Sequence, residues 1–255
     1  MKKLFQIPDF KEAIFKDWKY LLYNYIPLSY GNALREFTQV EVEGWENVPR
    51  TGPCLIIPNH SGIIGWDAVV LQYEILQIKK RLSRTMVHAF WSKNEFLAPM
   101  ANKLGYIPPD MKNAVKILRK NKLLLLFPEA EEGNFKPSMK MYQLHDFHPG
   151  FIALAIMANC PVIPTVILGA EENYINLGTI DWFEKQIGAK IPVPLNLVPL
   201  PAKWKIKFLK PVHFSKYSKS ELKNHKLVAE MSENIRFRIQ SSIHKELVKK
   251  GVFKF

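Results

Sequence analysis

The sequence predicts an α/β fold: a central, mostly parallel sheet flanked by helices, with an N-terminal amphipathic helix and a long C-terminal helix. Three observations predict it. Short β-rich runs alternate with helical stretches along the 255 residues. Several of these runs are apolar throughout, LLLLF at 123–127 and VIPTVIL at 162–168, as strands are when helices cover both faces of a sheet. The composition, 47% hydrophobic and 23% charged, is that of a chain able to bury a full core without a disulfide framework or a metal. Cys54 and Cys160 both sit in apolar runs and read as small buried hydrophobes of a reducing compartment.

From the N-terminus, MKKLFQIPDF has no apolar run long enough for a signal peptide before Asp9 and Lys11. Between residues 10 and 26, Phe10, Ile14, Phe15, Trp18, Leu21, Leu22 and Tyr25 recur at helical spacing among lysines. That pattern fits an interfacial amphipathic helix, and equally a helix packed on the domain. Residues 1–36 are therefore set apart as a membrane-surface segment, with one domain over 37–255.

Strands are expected near 40–43, 54–57, 85–90, 123–127, 162–168 and 204–208. Helices are expected near 66–77, 111–120 and 150–158, with Asp110 as the cap of the second and Asn121 at its stop. Residues 151–170 are twenty uncharged residues, the length of a membrane span, but Asn159, Pro161 and Pro164 interrupt them. Helix, turn and buried strand is the better reading. Ser218 and Glu221 have capping-box spacing ahead of Leu227, Met231, Ile235, Ile239, Ile243 and Leu247, a four-residue repeat that predicts a long amphipathic helix. The Pro-rich run at 191–201, IPVPLNLVPLP, reads as an extended surface or lid loop.

Charge narrows the partners. The formal net charge is +13, and the stretch from Lys203 to the end holds 14 basic and 4 acidic residues. Such asymmetry points to an anionic partner: nucleic acid, a membrane surface or a phosphorylated ligand. No helix-turn-helix, zinc-finger or RNP-type signature accompanies it, which argues against nucleic acid.

Chemistry is expected where polar residues follow apolar strands, the usual ligand position of an α/β sheet. Asn59, His60, Ser61 and Gly62 follow CLII, and Asp67 stands at the next helix start. From there Asp67 can hold one imidazole nitrogen of His60 and leave the other as a base. Phe127, Pro128, Glu129, Glu131, Glu132 and Gly133 form FPEAEEG after LLLL, an unusual acidic concentration in so basic a chain. No Gly-x-Ser-x-Gly elbow supports Ser61 as a nucleophile. His145, Asp146 and His148 lie close in sequence but lack the cysteines or spacing of a known metal site.

Four ordered segments resemble the blocks of the glycerolipid acyltransferase superfamily: VEGWENVPRTGPCLIIPNHSG, LGYIPPDMKNAVKILRKNK, FPEAEEG and CPVIPTVILGAEE. The resemblance runs from about residue 40 to 214 and makes 37–255 an acyltransferase domain. It implies transfer of a fatty acyl group from acyl-CoA or acyl carrier protein to a lipid hydroxyl. His60 would be general base and Asp67 its orienter, with no acyl-enzyme and no cofactor beyond the acyl donor. Asn59, Ser61, Gly62, Phe127, Pro128, Glu129, Glu131, Glu132 and Gly133 become the substrate-binding set, with Lys112, Lys116 and Arg119 as candidates to meet the anionic donor. It also implies lipid metabolism in the cytoplasm, peripheral on the inner membrane face.

Two departures stand out. The family's His-x4-Asp motif would place its aspartate at 65, but that residue is Gly65 and the acid comes at Asp67. This longer His-Ser-Gly form is similar to the branch that includes bacterial monoacylglycerol acyltransferase-like proteins. In the third block Glu132 stands where the family has a phosphate-binding arginine, so a neutral acceptor is expected. The alternative from another class is a catalytically degenerate acyltransferase fold that binds lipid or membrane without turnover.

Overall fold

The wholly apolar runs do become the centre of a sheet. In the computed structural model, which describes residues 26–63, 65–88, 98–182 and 190–250, strands β1 (Glu41–Glu43), β2 (Cys54–Pro58), β3 (Ser83–Met86), β4 (Tyr106–Ile107), β5 (Leu123–Leu125), β6 (Val162–Leu168) and β9 (Lys205–Phe208) form one sheet. Its order is β1-β9-β6-β2-β5-β3-β4. The five strands from β6 to β4 run parallel, while β9 is antiparallel to β6 and carries β1 in parallel with itself. Every residue of β2, β5 and β6 is buried, because helices cover both faces.

The two-residue period of the strands sorts side chains between two cores. Leu55 and Ile57 of β2 meet α4 (Met111–Arg119), α6 (Gly150–Ala158) and α7 (His225–Lys249) on one face. Cys54 and Ile56 meet α1 (Ile26–Thr38) and α2 (Trp66–Lys79) on the other. Both cysteines are buried and unpaired. The remaining helices are short: α3 (Ala98–Lys103) and α5 (Ala130–Asn134).

Several expected boundaries hold. Helix α6 spans Gly150–Ala158 as read, Asn159 turns the chain at φ 47°, and β6 follows. No described helix is long and apolar enough to cross a membrane. Asp110 caps α4 by accepting from the main-chain N–H groups of Lys112 and Asn113. The four-residue stripe of α7 is buried at Met231, Ile235, Ile239, Ile243 and Leu247.

Other expectations need correction. The Ser218–Glu221 capping box forms but opens a 3-10 turn, Lys219–Lys223, and α7 starts later at His225 under an Asn224 cap. Strand β3 begins two residues earlier than read and stops at Met86, since only that stretch pairs with β5 and β4. The Pro-rich run is not all loop: Ile191–Pro194 is strand β8, paired antiparallel with β7 (Asn176–Ile180) in a two-stranded ribbon outside the main sheet. Of the membrane-surface segment read over 1–36, residues 1–25 lie outside the described residues, while residues 26–36 belong to α1, whose Leu34 is buried in the core beside α2.

Candidate active site

Parallel β2 and β5 lie side by side, so the turns that leave their carboxyl ends meet. Asn59 fixes the first turn in place. Its side-chain amide donates to the Ile167 carbonyl at 2.9 Å and its oxygen accepts from the Ile167 N–H at 2.7 Å, tying the end of β2 to β6. Both polar atoms of Asn59 are thereby used within the protein.

The next residue is His60. Its Nδ1 lies 2.6 Å from Oδ2 of Asp67, which is completely buried in the first turn of α2. The same carboxylate accepts main-chain N–H groups of Ser61 at 2.8 Å and Ala68 at 2.8 Å. Asp67 thus acts as an internal cap of the whole turn and can accept the Nδ1 proton of the imidazole, leaving Nε2 as the basic nitrogen. The His60 side chain is 16% exposed, so the ring reaches the surface along one edge.

Six residues separate His60 from Asp67, two more than the usual motif allows. The turn absorbs them with three residues in the left-handed region: Gly62 at φ 98°, Ile63 at 52° and Gly65 at 73°. Glycine adopts such angles without the Cβ clash that other residues suffer. Ile63 is the non-glycine exception, and Asn134 holds it, with hydrogen bonds of 3.2 Å in each direction between their polar groups. The longer spacing is therefore accommodated as a bulge, with the His–Asp contact kept.

The FPEAEEG turn supplies the other wall. Phe127 lies against His60 with ring centroids 4.2 Å apart. The buried carboxylate of Glu129 accepts the His60 main-chain N–H at 3.0 Å and the His145 N–H at 2.8 Å. Gly133 is required here for space: a Cβ would sit 2.5 Å from Cβ of Glu129. Pro128 is buried and its carbonyl accepts from the His148 N–H. Glu131 and Glu132 diverge from this centre, Glu131 toward His88 at 3.7 Å and Glu132 toward Lys190 at 3.8 Å.

Behind Glu129 lies a buried polar layer. Lys136 stands 3.8 Å from Glu129 and 3.1 Å from Glu171. Burial pushes the Glu171 carboxyl above its ordinary range, and the Lys136 ammonium works against that rise. Glu171 also accepts the Tyr142 N–H at 2.7 Å. The Tyr142 hydroxyl donates to Glu172 and accepts from the Gly169 N–H, and burial together with Glu172 drives its pKa far up. Glu171 and Tyr142 were absent from the residues read as functional. The signal for Glu171 was present: acidic residues after an apolar strand, in LGAEE, repeat the pattern that singled out Glu129.

The sequence-predicted set is thus divided. His60, Asp67, Phe127 and Glu129 converge, and Ser61 is buried beside them with its hydroxyl lacking a hydrogen-bond partner among the described residues. Asn59 is a clamp, and Glu132 is half-exposed. Lys112, Lys116 and Arg119 line the exposed side of α4, and Arg119 bonds the Met157 carbonyl. Among the described residues no group of three His, Cys, Asp or Glu side chains is placed to hold a metal ion.

The chain is 27% identical over 229 residues to an uncharacterized protein of Mycobacterium tuberculosis, covering 84% of this chain and 63% of that one. It therefore spans less than two thirds of the length of that relative. A human protein, the DGAT1/2-independent enzyme synthesizing storage lipids, is 28% identical over 138 residues, 54% of this chain and 42% of that one. The crystal structure of the 1-acyl-sn-glycerophosphate (LPA) acyltransferase PlsC of Thermotoga maritima shares the fold, with a TM-score of 0.59 over 92% of this chain and 85% of that one, at 18% identity. Residues 39–168, just over half of the chain, match the Acyltransferase family, and they carry both the His60–Asp67 turn and the Glu129 turn: the chain belongs to the acyltransferase family.

Proposed function

We propose that this chain transfers a fatty acyl group from a thioester donor, acyl-CoA or acyl carrier protein, to the hydroxyl of a neutral lipid acceptor. The observation that carries the reading is the 2.6 Å contact of His60 Nδ1 with buried Asp67, on a ring that keeps 16% of its side-chain surface exposed. Nε2 takes the acceptor hydroxyl proton as that oxygen attacks the thioester carbonyl carbon. The tetrahedral oxyanion then collapses, the C–S bond breaks, and the thiolate recovers the proton from the imidazolium. Asp67 stabilises that imidazolium and holds its ring. A positioned base contributes about 10²- to 10⁴-fold, and orientation of the two substrates supplies the remainder.

The charges of this turn favour an uncharged acceptor. Glu132, which stands where the resembled family has its phosphate-binding arginine, is half-exposed and faces Lys190 at 3.8 Å, so the turn FPEAEEG offers no cation to an acceptor phosphate. Lys136, the nearby lysine in sequence, has its ammonium buried between Glu129 and Glu171 rather than turned outward. A monoacylglycerol, a diacylglycerol or another lipid alcohol fits this charge pattern better than glycerol 3-phosphate. Incubation with labelled acyl-CoA and a side-by-side panel of acceptors tests it: neutral acceptors should be acylated in preference. Efficient acylation of lysophosphatidate, with none of neutral glycerides, would overturn the assignment.

A further inference from the structure

The β7–β8 ribbon and the segment that follows it are unlike the rest of the surface. Residues 191–202 contain no charged side chain, and Lys190 and Lys203 bracket them. Leu195, Leu197 and Val198 are 67%, 88% and 77% exposed, and Trp182, beyond β7, is 81% exposed. Isolated exposed hydrophobes are ordinary, but a concentration of them in one unit marks an interaction surface.

The unit is built to display them. Asn196, the polar residue of the run, is turned inward. Its amide donates to the Asn173 and Val198 carbonyls at 3.0 and 2.7 Å, and its oxygen accepts the Ile175 N–H at 2.8 Å. Asn173 in turn donates to the Leu200 carbonyl at 2.6 Å, and the Leu200 N–H returns to the Asn173 carbonyl. A loop that only had to remain soluble would arrange these groups the other way round. The ribbon is also joined to the active-site wall: the Asn176 amide donates to the Phe135 and Lys136 carbonyls at 2.8 and 3.1 Å.

We infer that this ribbon docks on the surface of a lipid bilayer and sets the active-site mouth against it. This deepens the reading of a lipid acceptor and rests on it. Three features select a bilayer over a protein partner. The exposed side chains project from a ribbon and its loop, so a protein would need a matching hollow, whereas a bilayer interface needs none. Pro192, Pro194, Pro199 and Pro201 remove main-chain donors along the run, which makes it a poor template for strand addition by a second chain. The charge is complementary: exposed Lys203 follows the apolar run on a chain of net +13, and exposed Trp182 stands two residues beyond β7 at the other end of the ribbon, the residue type that sits at membrane–water interfaces.

The test uses the full chain with phosphatidylcholine vesicles, with and without phosphatidylglycerol. The triple variant L195S/L197S/V198S changes only exposed side chains, and its melting temperature should match wild type. Its partition to vesicles should fall about a hundredfold, given the apolar area withdrawn from water. Its turnover should fall on vesicle-borne acceptor and remain at wild-type level on a water-soluble short-chain acceptor. Leu197→Cys offers a second measurement, because Cys54 and Cys160 are buried and an environment-sensitive thiol label goes to position 197. Its emission should shift to the blue on adding vesicles. Wild-type partition by the triple variant, or label emission unmoved by vesicles, would overturn docking. A label shift that follows protein concentration without lipid would also overturn it, in favour of a second copy of the chain. If vesicles bind and the label shifts but no acceptor is acylated, docking stands and the acyl-transfer reading falls.

Discussion

Two buried carboxylates, Asp67 and Glu246, make opposite uses of the same chemistry. Asp67 accepts two main-chain N–H groups and meets Nδ1 of His60, whose ring remains partly exposed. Glu246, on α7, is bonded by Lys205 at 2.8 Å, Lys207 at 2.7 Å and Lys249 at 3.1 Å, and Glu43 shares the first two lysines. Burial pushes Glu246 up, but the three lysine hydrogen bonds outweigh it and hold the carboxyl at about 2. A carboxylate surrounded by its own counter-ions steadies an edge of the fold. One that holds a partly exposed histidine is the arrangement the proposed base requires.

The sharpest way to break this contrast is His60→Ala. Transfer should fall about 10³- to 10⁴-fold, while the main-chain N–H bonded to Glu129 remains and the variant still folds, at a lower unfolding midpoint because the ring packs on Phe127 and partners Asp67. Wild-type turnover by the folded variant would remove the base from the mechanism and favour a lipid-binding fold without catalysis. Lys136→Met should cost about 3–5 kcal/mol in urea unfolding, because it strands Glu129 and Glu171 together without their cation. A loss below 1 kcal/mol, on the order of a surface pair, would show that the layer is hydrated.

Asp67→Asn should reduce kcat less completely than loss of His60, since the base remains but its orienter and its imidazolium partner weaken. Wild-type kcat in the folded Asp67→Asn protein would remove the aspartate from the mechanism. Glu246→Gln should leave turnover unchanged and cost about 1.5–3 kcal/mol, the range for hydrogen bonds to charged groups. Its pH signature has a definite sign. The folded carboxyl lies below its ordinary 4.5, so its stabilisation is present above that value and lost as the pH falls toward 2. The wild-type and Glu246→Gln unfolding curves should therefore converge in acid; parallel curves would refute the assignment.

Much of this arrangement was legible in residue order. A polar residue after an apolar strand marks the carboxyl end of a sheet, and His60 and Glu129 both stand there in the sequence, in turns that meet at a 3.0 Å contact. Helix α6 could be bounded because Pro161 and Asn159 act locally, on the backbone of their own turn. The same locality misled at Ser218, where the capping box formed but closed only a 3-10 turn, since helix length depends on what α7 packs against. The pairing of β8 with β7 is not legible in the sequence, because four prolines in eleven residues argue against a strand and the partner strand lies outside the main sheet.

By itself, then, the sequence determined the layered α/β class, the order of the strand-end turns, the buried stripe of α7 and the pairing of a histidine with an aspartate at an unusual spacing. These follow from periodicity, from chain-breaking residues and from ordered motifs, all of which act over short distances. Only the tertiary structure decided that Asn59 is a clamp, that Lys136 is enclosed between Glu129 and Glu171, and that Asn196 turns inward while Leu195, Leu197 and Val198 face out. Whether a polar side chain is spent within the protein or left for a ligand depends on partners from distant parts of the chain, 108 residues away for Asn59 and 35 for Lys136. No local pattern encodes that choice, because it is made when the strands are laid side by side.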